Sequence, residues 1–258
     1  MFPNVMNKYQ YDIVLKSIEY MKNNYSDDTL TLDSIANSVN LSKFHFNRVF
    51  KKITGIPPRK YLMSIRLYKS KQLLHESNLR LTDICFDVGY NSLSTFTSKF
   101  KSEVGISPST YKEKTSILDF KELQHKKVNG GEITGRIIAP PNFVGTIFIG
   151  LFNEFIPSGE PIACSIQNRD GDFLIDGVPN GEFYLFVAGA NKKDGLRFPI
   201  DTDNLYRCMH LEKISVKDNS INLTYPLKLR EKNIADPPII LSLEHLYKKY
   251  EKIFMRAN

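Results

Sequence analysis

Cysteine is scarce in this chain, and long apolar runs are missing. Three cysteines in 258 residues, Cys85, Cys164 and Cys208, form neither an even pairing framework nor a CxxC clip for a metal ion. That argues against a disulfide-stapled secreted module, and a reducing cytoplasm is the expected home. No apolar stretch approaches the roughly 20 residues that a membrane helix needs. The amino terminus, Met1-Phe-Pro-Asn-Val-Met-Asn-Lys8, lacks the pattern of a secretory leader. No membrane partner is expected. The length is enough for two domains with cores of their own.

The formal net charge is +7, and it is unevenly placed. Residues 1–115 carry 17 Lys and Arg against 10 Asp and Glu, while residues 116–258 carry 18 of each. The whole excess therefore sits in the first half, as in a surface that meets a polyanion.

That same half contains a repeat. Leu32-Asp-Ser-Ile35-Ala36-Asn-Ser-Val39-Asn-Leu41-Ser42 continues through Phe46, Phe50, Gly55-Ile56-Pro57-Pro58 to Tyr61. Leu81-Thr-Asp-Ile84-Cys85-Phe-Asp-Val88-Gly89-Tyr90-Asn91 continues through Phe96, Phe100, Gly105-Ile106-Ser107-Pro108 to Tyr111. Ile35/Ile84 and Val39/Val88 match at one offset; Phe46/Phe96, Phe50/Phe100 and Tyr61/Tyr111 match at an offset one residue longer. The extra residue is expected in the turn between two short helices, as in a duplicated helix-turn-helix. A leading helix is expected over 11–24. Tyr61, Leu62, Ile65, Leu67, Tyr68, Leu73 and Leu74 predict a long helix joining the repeats, with Arg66, Lys69 and Lys71 at its polar positions. Cys85 falls on the inward side of its helix and is expected in the core.

In each repeat the second helix is the candidate for entering a major groove. The first reads Ser42-Lys43-Phe44-His45-Phe46-Asn47-Arg48-Val49-Phe50-Lys51-Lys52. Ser42 is a suitable cap, Phe46, Val49 and Phe50 form the inward stripe, and Phe44, Asn47, Arg48 and Lys51 fall on other faces. Arg can pair bidentately with guanine, Asn with adenine, and an exposed aromatic can pack on a thymine methyl. Lys43, Lys51 and Lys52 suit phosphates, which position the protein without reading sequence. His45 receives no role.

Residues 8–113 resemble the DNA-binding domain of the AraC/XylS family of transcription regulators, through Ser-Lys-Phe-His-Phe-Asn-Arg-Val-Phe-Lys-Lys and both Gly-Ile-x-Pro-x-x-Tyr endings. The resemblance implies seven helices and two recognition helices in successive major-groove segments about 34 Å apart. It places base contacts on Phe44, Asn47 and Arg48, and in the second head on Ser94 and Ser98. Ser98 stands where the family usually carries Arg, and serine discriminates bases less sharply. The first head is therefore expected to supply most specificity, and the second to anchor through Lys99 and Lys101. RNA polymerase is the implied partner besides double-stranded DNA, and activation is the commoner habit of the family.

Beyond about Lys114 the signals become strand-like. Ile133–Ala139, Val144–Phe152, Pro161–Ile166, Asp172–Ile175, Glu182–Ala188, Cys208–Val216 and Ile221–Leu227 are β-branched or aromatic runs divided by turn residues such as Asp170-Gly171 and Pro179-Asn-Gly181. The expected fold class is an all-α double helix-turn-helix domain (1–115), a linker (116–130), an antiparallel β-sandwich (131–230) and a carboxy-terminal segment (231–258) with an amphipathic helix. Residues 130–227 resemble the prealbumin-like sandwiches called carboxypeptidase regulatory-like domains, on the Asp-Gly-x-Phe and Val-Pro-x-Gly-x-Phe-Tyr turns. Sensor domains in AraC relatives are more often cupin-like and precede the DNA-binding domain, so sugar sensing does not carry over.

Two strands are apolar on both faces, which a sandwich does not require. Phe148, Phe152, Tyr184 and Phe186 form a second face needing cover. Docking of a Leu243–Phe254 helix is the simplest cover; a homodimer interface or a pocket for a small-molecule effector are the others. Asp170, Asp172 and Asp176 lack the EF-hand arrangement, and Cys208-Met-His210 are strand neighbours, so no metal, cofactor or catalytic residue is expected. A sequence-specific, non-enzymatic regulator is the reading favoured. The alternatives are a DNA-bound module whose sandwich recruits a partner, and a repair methyl acceptor at Cys164 or Cys208, for which no Pro-Cys-His-Arg motif is present.

Overall fold

The structure, a computed structural model, describes residues 8–113, 130–141, 143–191, 204–209, 212–217, 220–243 and 246. The 116–129 part of the expected linker, His210, and most of the Leu243–Phe254 helix lie outside the described residues. Contacts divide the chain into two units. The first holds the described residues up to Lys101 together with Ser107–Glu113 and Asn233–Ile240; the second holds Ser102–Ile106, the described residues up to Lys232, and those from Leu241 onward. The boundaries suggested by composition at 115 and 231 are thus crossed by two short segments.

Seven helices make up the amino-terminal region: α1 (Lys8–Asn24), α2 (Leu32–Ser38), α3 (Lys43–Thr54), α4 (Pro58–Glu76), α5 (Leu81–Asp87), α6 (Leu93–Val104) and α7 (Pro108–Lys112). Local chemistry sets their ends. Thr31 and Ser34 form a reciprocal capping box at α2. Ser42 and Ser92 accept from the His45 and Thr95 N–H groups at the starts of α3 and α6, each at 3.4 Å. Pro58 and Pro108 open α4 and α7, where no N–H is needed.

The repeat is carried into three dimensions bond by bond. Asn40 N–H donates to the Asn37 carbonyl and Leu41 N–H to Ala36; Gly89 N–H donates to Phe86 and Tyr90 N–H to Cys85, all within 2.9–3.0 Å. Asn40 and Gly89 hold left-handed backbone, at φ 55° and 81°. From Leu41 the first repeat goes directly to the cap Ser42, whereas the second passes from Tyr90 through Asn91 to Ser92. Asn91 is therefore the extra residue.

Matching aromatic ladders sit behind the second helix of each repeat. Phe46 meets Phe50 at 5.4 Å between ring centroids, and Phe50 meets Tyr61 edge-on at 5.4 Å. Phe96 meets Phe100 at 5.7 Å, and Phe100 meets Tyr111 at 5.6 Å. Offset and edge-on pairs of this kind add to the free energy of simple burial. Between the ladders, α4 is buried on most sides, through Tyr61, Leu62, Ile65, Leu67, Tyr68 and Leu74. Lys71, expected at a polar position, is buried as well. Its ammonium lies 5.9 Å from the Tyr111 ring centroid, a cation–π placement that lets the stem pack in the core. Cys85 is fully buried, as expected from its helix face.

Asn233–Ile240 joins this unit through specific bonds. The Tyr11 hydroxyl donates to Asn233 Oδ1 at 2.9 Å and the Tyr61 hydroxyl to the Asp236 carbonyl at 3.1 Å. Ala235, Ile239 and Ile240 are buried.

The second unit contains two sheets built from β1 (Gly131–Ile138), β2 (Gly145–Phe152), β3 (Ala163–Gln167), β4 (Gly171–Val178), β5 (Gly181–Asn191), β6 (Tyr206–Met209), β7 (Ile214–Val216), β8 (Ile221–Asn222) and β9 (Leu227–Lys228). One sheet has the order β4-β1-β8 with β9 also on β1; the other has β3-β2-β5-β6 with β7 also on β5. Ile133, Ile137, Phe173 and Ile175 from the first share a core with Ile147, Ile149, Leu151, Phe183, Leu185 and Val187 from the second. Period-2 alternation puts these side chains on one face of each strand.

Two strand expectations need correction. The run Cys208–Val216 is two strands on one edge of β5: Phe186 pairs with Met209 and Phe183 with Ile214, a register that leaves extra residues between them. Ile221–Leu227 is likewise two short strands, and both pair with β1 in parallel, at Ile133↔Ile221 and Ile137↔Leu227. The first sheet is mixed rather than purely antiparallel.

The two left-handed turn residues should respond differently to substitution. A Cβ at Gly89 would lie 2.5 Å from the Tyr25 carbonyl oxygen and 3.0 Å from the Arg66 guanidinium carbon. Asn40→Gly should change the unfolding free energy by less than about 1 kcal/mol. Gly89→Ala should cost more than about 2 kcal/mol, since strain and displacement add. Urea denaturation compares them, and equal effects would show that the second turn is no tighter than the first.

Candidate nucleic-acid interface

Each candidate reading helix has one face committed to the core and one left open. In α3 the buried stripe is Phe46, Val49, Phe50 and Ile53. Lys43, Phe44, Asn47, Arg48, Lys51 and Lys52 are all exposed. Phe44 is 87% exposed, which is costly for an aromatic ring that has no partner to cover it. The three expected base-contacting residues of the first head thus lie together on the open side, Asn47 and Arg48 one helical turn on from Phe44.

Two of these side chains already have partners. Arg48 Nη2 lies 3.1 Å from His45 Nδ1, so a histidine given no role from sequence stands beside the main candidate for guanine contact. Lys43 Nζ is bound to Asp33 Oδ2 at 2.7 Å across the turn between α2 and α3, with both groups well exposed. Such a surface pair contributes little to stability and exchanges readily. Lys51 and Lys52 occupy the last turn of α3, where cations also complement the helix dipole.

The second head repeats the geometry with weaker chemistry. In α6, Phe96, Phe100 and Val104 are buried, whereas Ser94, Ser98, Lys99 and Lys101 are exposed. Ser94 and Ser98 occupy the positions of Phe44 and Arg48. The open face of α6 therefore presents short hydroxyls where α3 presents an aromatic ring and a guanidinium.

Sequence reasoning missed Arg66. Expected at a polar position of α4, it donates from Nε to the Tyr25 carbonyl at 2.8 Å and from Nη2 to the Asp27 carbonyl at 2.7 Å. No periodic pattern signals a side chain that caps a loop some 40 positions away.

The second unit brings its four candidate rings to one face of the β2–β5 pair, but mostly out of solvent. Phe148, Phe152 and Phe186 are buried and Tyr184 is half-buried, with Phe155 edge-on to it at 5.6 Å. Three of the four thus lie within the packing of the second unit. Leu243 and Leu246, at the start of the expected helix, are buried in the same unit.

Two of the residues weighed for other chemistry, Asp172 and Cys208, are tied to their surroundings. Asp172 makes two bonds to Arg136, at 2.7 and 3.2 Å, across β1 and β4, and this pairing holds its carboxyl below the usual range. Burial pushes the Cys208 thiol up, against the thiolate that a methyl acceptor would need. Among the described residues no group of three His, Cys, Asp or Glu side chains is placed to hold a metal ion. No described helix is long and apolar enough to cross a membrane.

Comparison with known proteins agrees with this geometry. A family model described as a helix-turn-helix domain matches residues 35–114. The HTH-type transcriptional activator AarP of Providencia stuartii is 32% identical over 105 residues, covering 41% of this chain and 77% of that protein. The chain belongs to the AraC/XylS family. It thus carries a DNA-binding domain of the AraC type. A second relative, the lactose operon transcription activator of Staphylococcus xylosus, is 34% identical over 120 residues, 45% of this chain and 42% of that protein. The chain therefore spans less than half the length of that relative. The solved C-terminal domain of AraT, a response regulator from Geobacillus stearothermophilus, is 31% identical and covers 44% of this chain and 94% of that one, with a TM-score of 0.39.

Proposed function

We propose that this regulator activates transcription by gripping two neighbouring major-groove segments, with α3 supplying most base discrimination and α6 mostly anchorage. The observation that carries this reading is the open face of α3, where Phe44, Asn47 and Arg48 stand exposed together while the matching face of α6 presents Ser94 and Ser98. Arg48 suits guanine O6 and N7, Asn47 suits adenine N6 and N7, and Phe44 suits a thymine methyl. Lys51, Lys52 and Lys101, with Lys43 once released from Asp33, supply phosphate contacts. The relatives named as activators support the direction of regulation, and RNA polymerase is the partner that activation requires.

For the second unit, partner recruitment is the stronger of the two roles. Three of the four rings for which an effector pocket was one of the alternatives, Phe148, Phe152 and Phe186, are buried. A cleft on the other sheet, of about 230 Å³, is lined by Thr134, Arg136, Asp172 and Asn222; small-molecule sites usually begin near roughly 300 Å³. Ile138 and Leu174, on β1 and β4, are 41% and 48% exposed beside it, as a protein-binding face would have them.

Selection of bound duplexes from a random DNA pool, followed by base-by-base substitution of the recovered site, tests the asymmetry. Substitutions under the first half-site should each cost about 1–3 kcal/mol, and those under the second clearly less. Equal losses at both half-sites would refute it. Arg48→Ala should erase preference at one base pair of the first half-site. Lys51→Gln should weaken binding evenly across sequences and lower the slope of log affinity against log salt by roughly 0.9. A Lys51→Gln effect confined to particular sequences would instead make Lys51 a base reader.

A further inference from the structure

Arg66 sits midway along α4, the helix that joins the two heads, and it touches two separate parts of the first unit, the loop after α1 and the turn before α6. Its two donor bonds close the loop that follows α1, at the Tyr25 and Asp27 carbonyls. That loop is itself set by Asp27, whose Oδ1 accepts from the Thr29 N–H at 2.9 Å and the Thr29 hydroxyl at 2.6 Å. On its other side the guanidinium lies 5.9 Å from the centroid of Tyr90, the residue that follows the left-handed Gly89. Tyr90 in turn packs on Phe96 of α6, at 5.4 Å between centroids.

The contact is close-fitting. The Gly89 backbone comes so near that any Cβ there would strike the Tyr25 carbonyl and the Arg66 guanidinium. The planar fork of arginine can hold two carbonyls while its charge lies over a ring, a combination that lysine's single ammonium cannot reproduce. The first repeat offers no counterpart, since Asn40 occupies the position of Gly89 and Leu41 that of Tyr90.

We infer that Arg66 is the positioning residue that sets the separation and rotation of the second reading helix relative to the first, and so selects the spacing of the two DNA half-sites. This rests on the two-segment reading proposed above. The path runs from the α1–α2 loop through Arg66 to Tyr90, and from Tyr90 through Phe96 to α6. Without the fork, α6 keeps its own core but loses its fixed bearing on the rest of the unit. Affinity for an ideally spaced site then falls, and tolerance of a wrongly spaced one rises.

The experiment uses the full chain and the two-part site recovered from a random duplex pool, with and without one inserted base pair between the halves. The insertion turns the second half-site by roughly 35° about the duplex. The unaltered protein should lose at least about tenfold in affinity on insertion, as for a lost base contact or more. Arg66→Ala should lose less than about threefold relative to its own affinity for the uninserted site, with base preferences in the first half-site unchanged. Retention of the helical circular dichroism spectrum certifies the variant. If Arg66→Ala does not fold, Arg66→Lys, which can satisfy only one carbonyl, is read in the same way. A folded variant with the same spacing penalty as the unaltered protein overturns the inference, as does an equal loss of base preference in both half-sites. Recovery of no two-part site by the unaltered protein overturns the two-segment reading itself, and the inference with it.

Discussion

Behind each reading helix lies a short ladder of aromatic rings, Phe46–Phe50–Tyr61 in the first head and Phe96–Phe100–Tyr111 in the second, and the rest of the first unit depends on them. A recognition helix is useful only if one face is locked and the other is free. The rings do the locking, because each edge-on contact is directional as well as apolar. Rotating α3 by one residue, about 100°, would carry Phe46 and Phe50 off the ladder and turn Arg48 away from the open face. Core packing and site geometry are therefore one constraint seen from two sides.

The two heads share this constraint but use it differently. The ladders, the serine caps of α3 and α6 and the turn bonds are nearly interchangeable, while the outward residues are not: phenylalanine, asparagine and arginine on α3 stand against serine, threonine and serine on α6. A duplicated scaffold can thus diverge in its reading chemistry without disturbing its core. The turn shows the same freedom within limits. Asn40 and Gly89 both take left-handed backbone, yet only the second lies hard against another segment, and only there does the absence of a side chain matter.

In the second unit the principle is repeated on sheets. β2 and β5 are apolar on both sides, so they have one face in the sandwich core and another that must be covered within the chain. Phe148, Phe152 and Phe186 are in fact buried. The parallel pairing of β8 and β9 with β1 escaped the sequence because two-residue strands have too little length for any period to show.

The sequence by itself determined the helical heads, their duplication, the inward and outward faces of α3 and α6, and the sandwich core. All of these follow from local periods, caps and turn residues a few positions apart. The tertiary structure alone decided that Lys71 is buried under Tyr111, that Arg66 closes a loop and lies over the Tyr90 ring, and that Asn233–Ile240 packs with the helices rather than with the strands preceding it. Each of these joins groups far apart in the chain through one or two directional contacts. Such contacts leave no periodic trace in the residues themselves; they exist only once the helices and strands have brought the partners together.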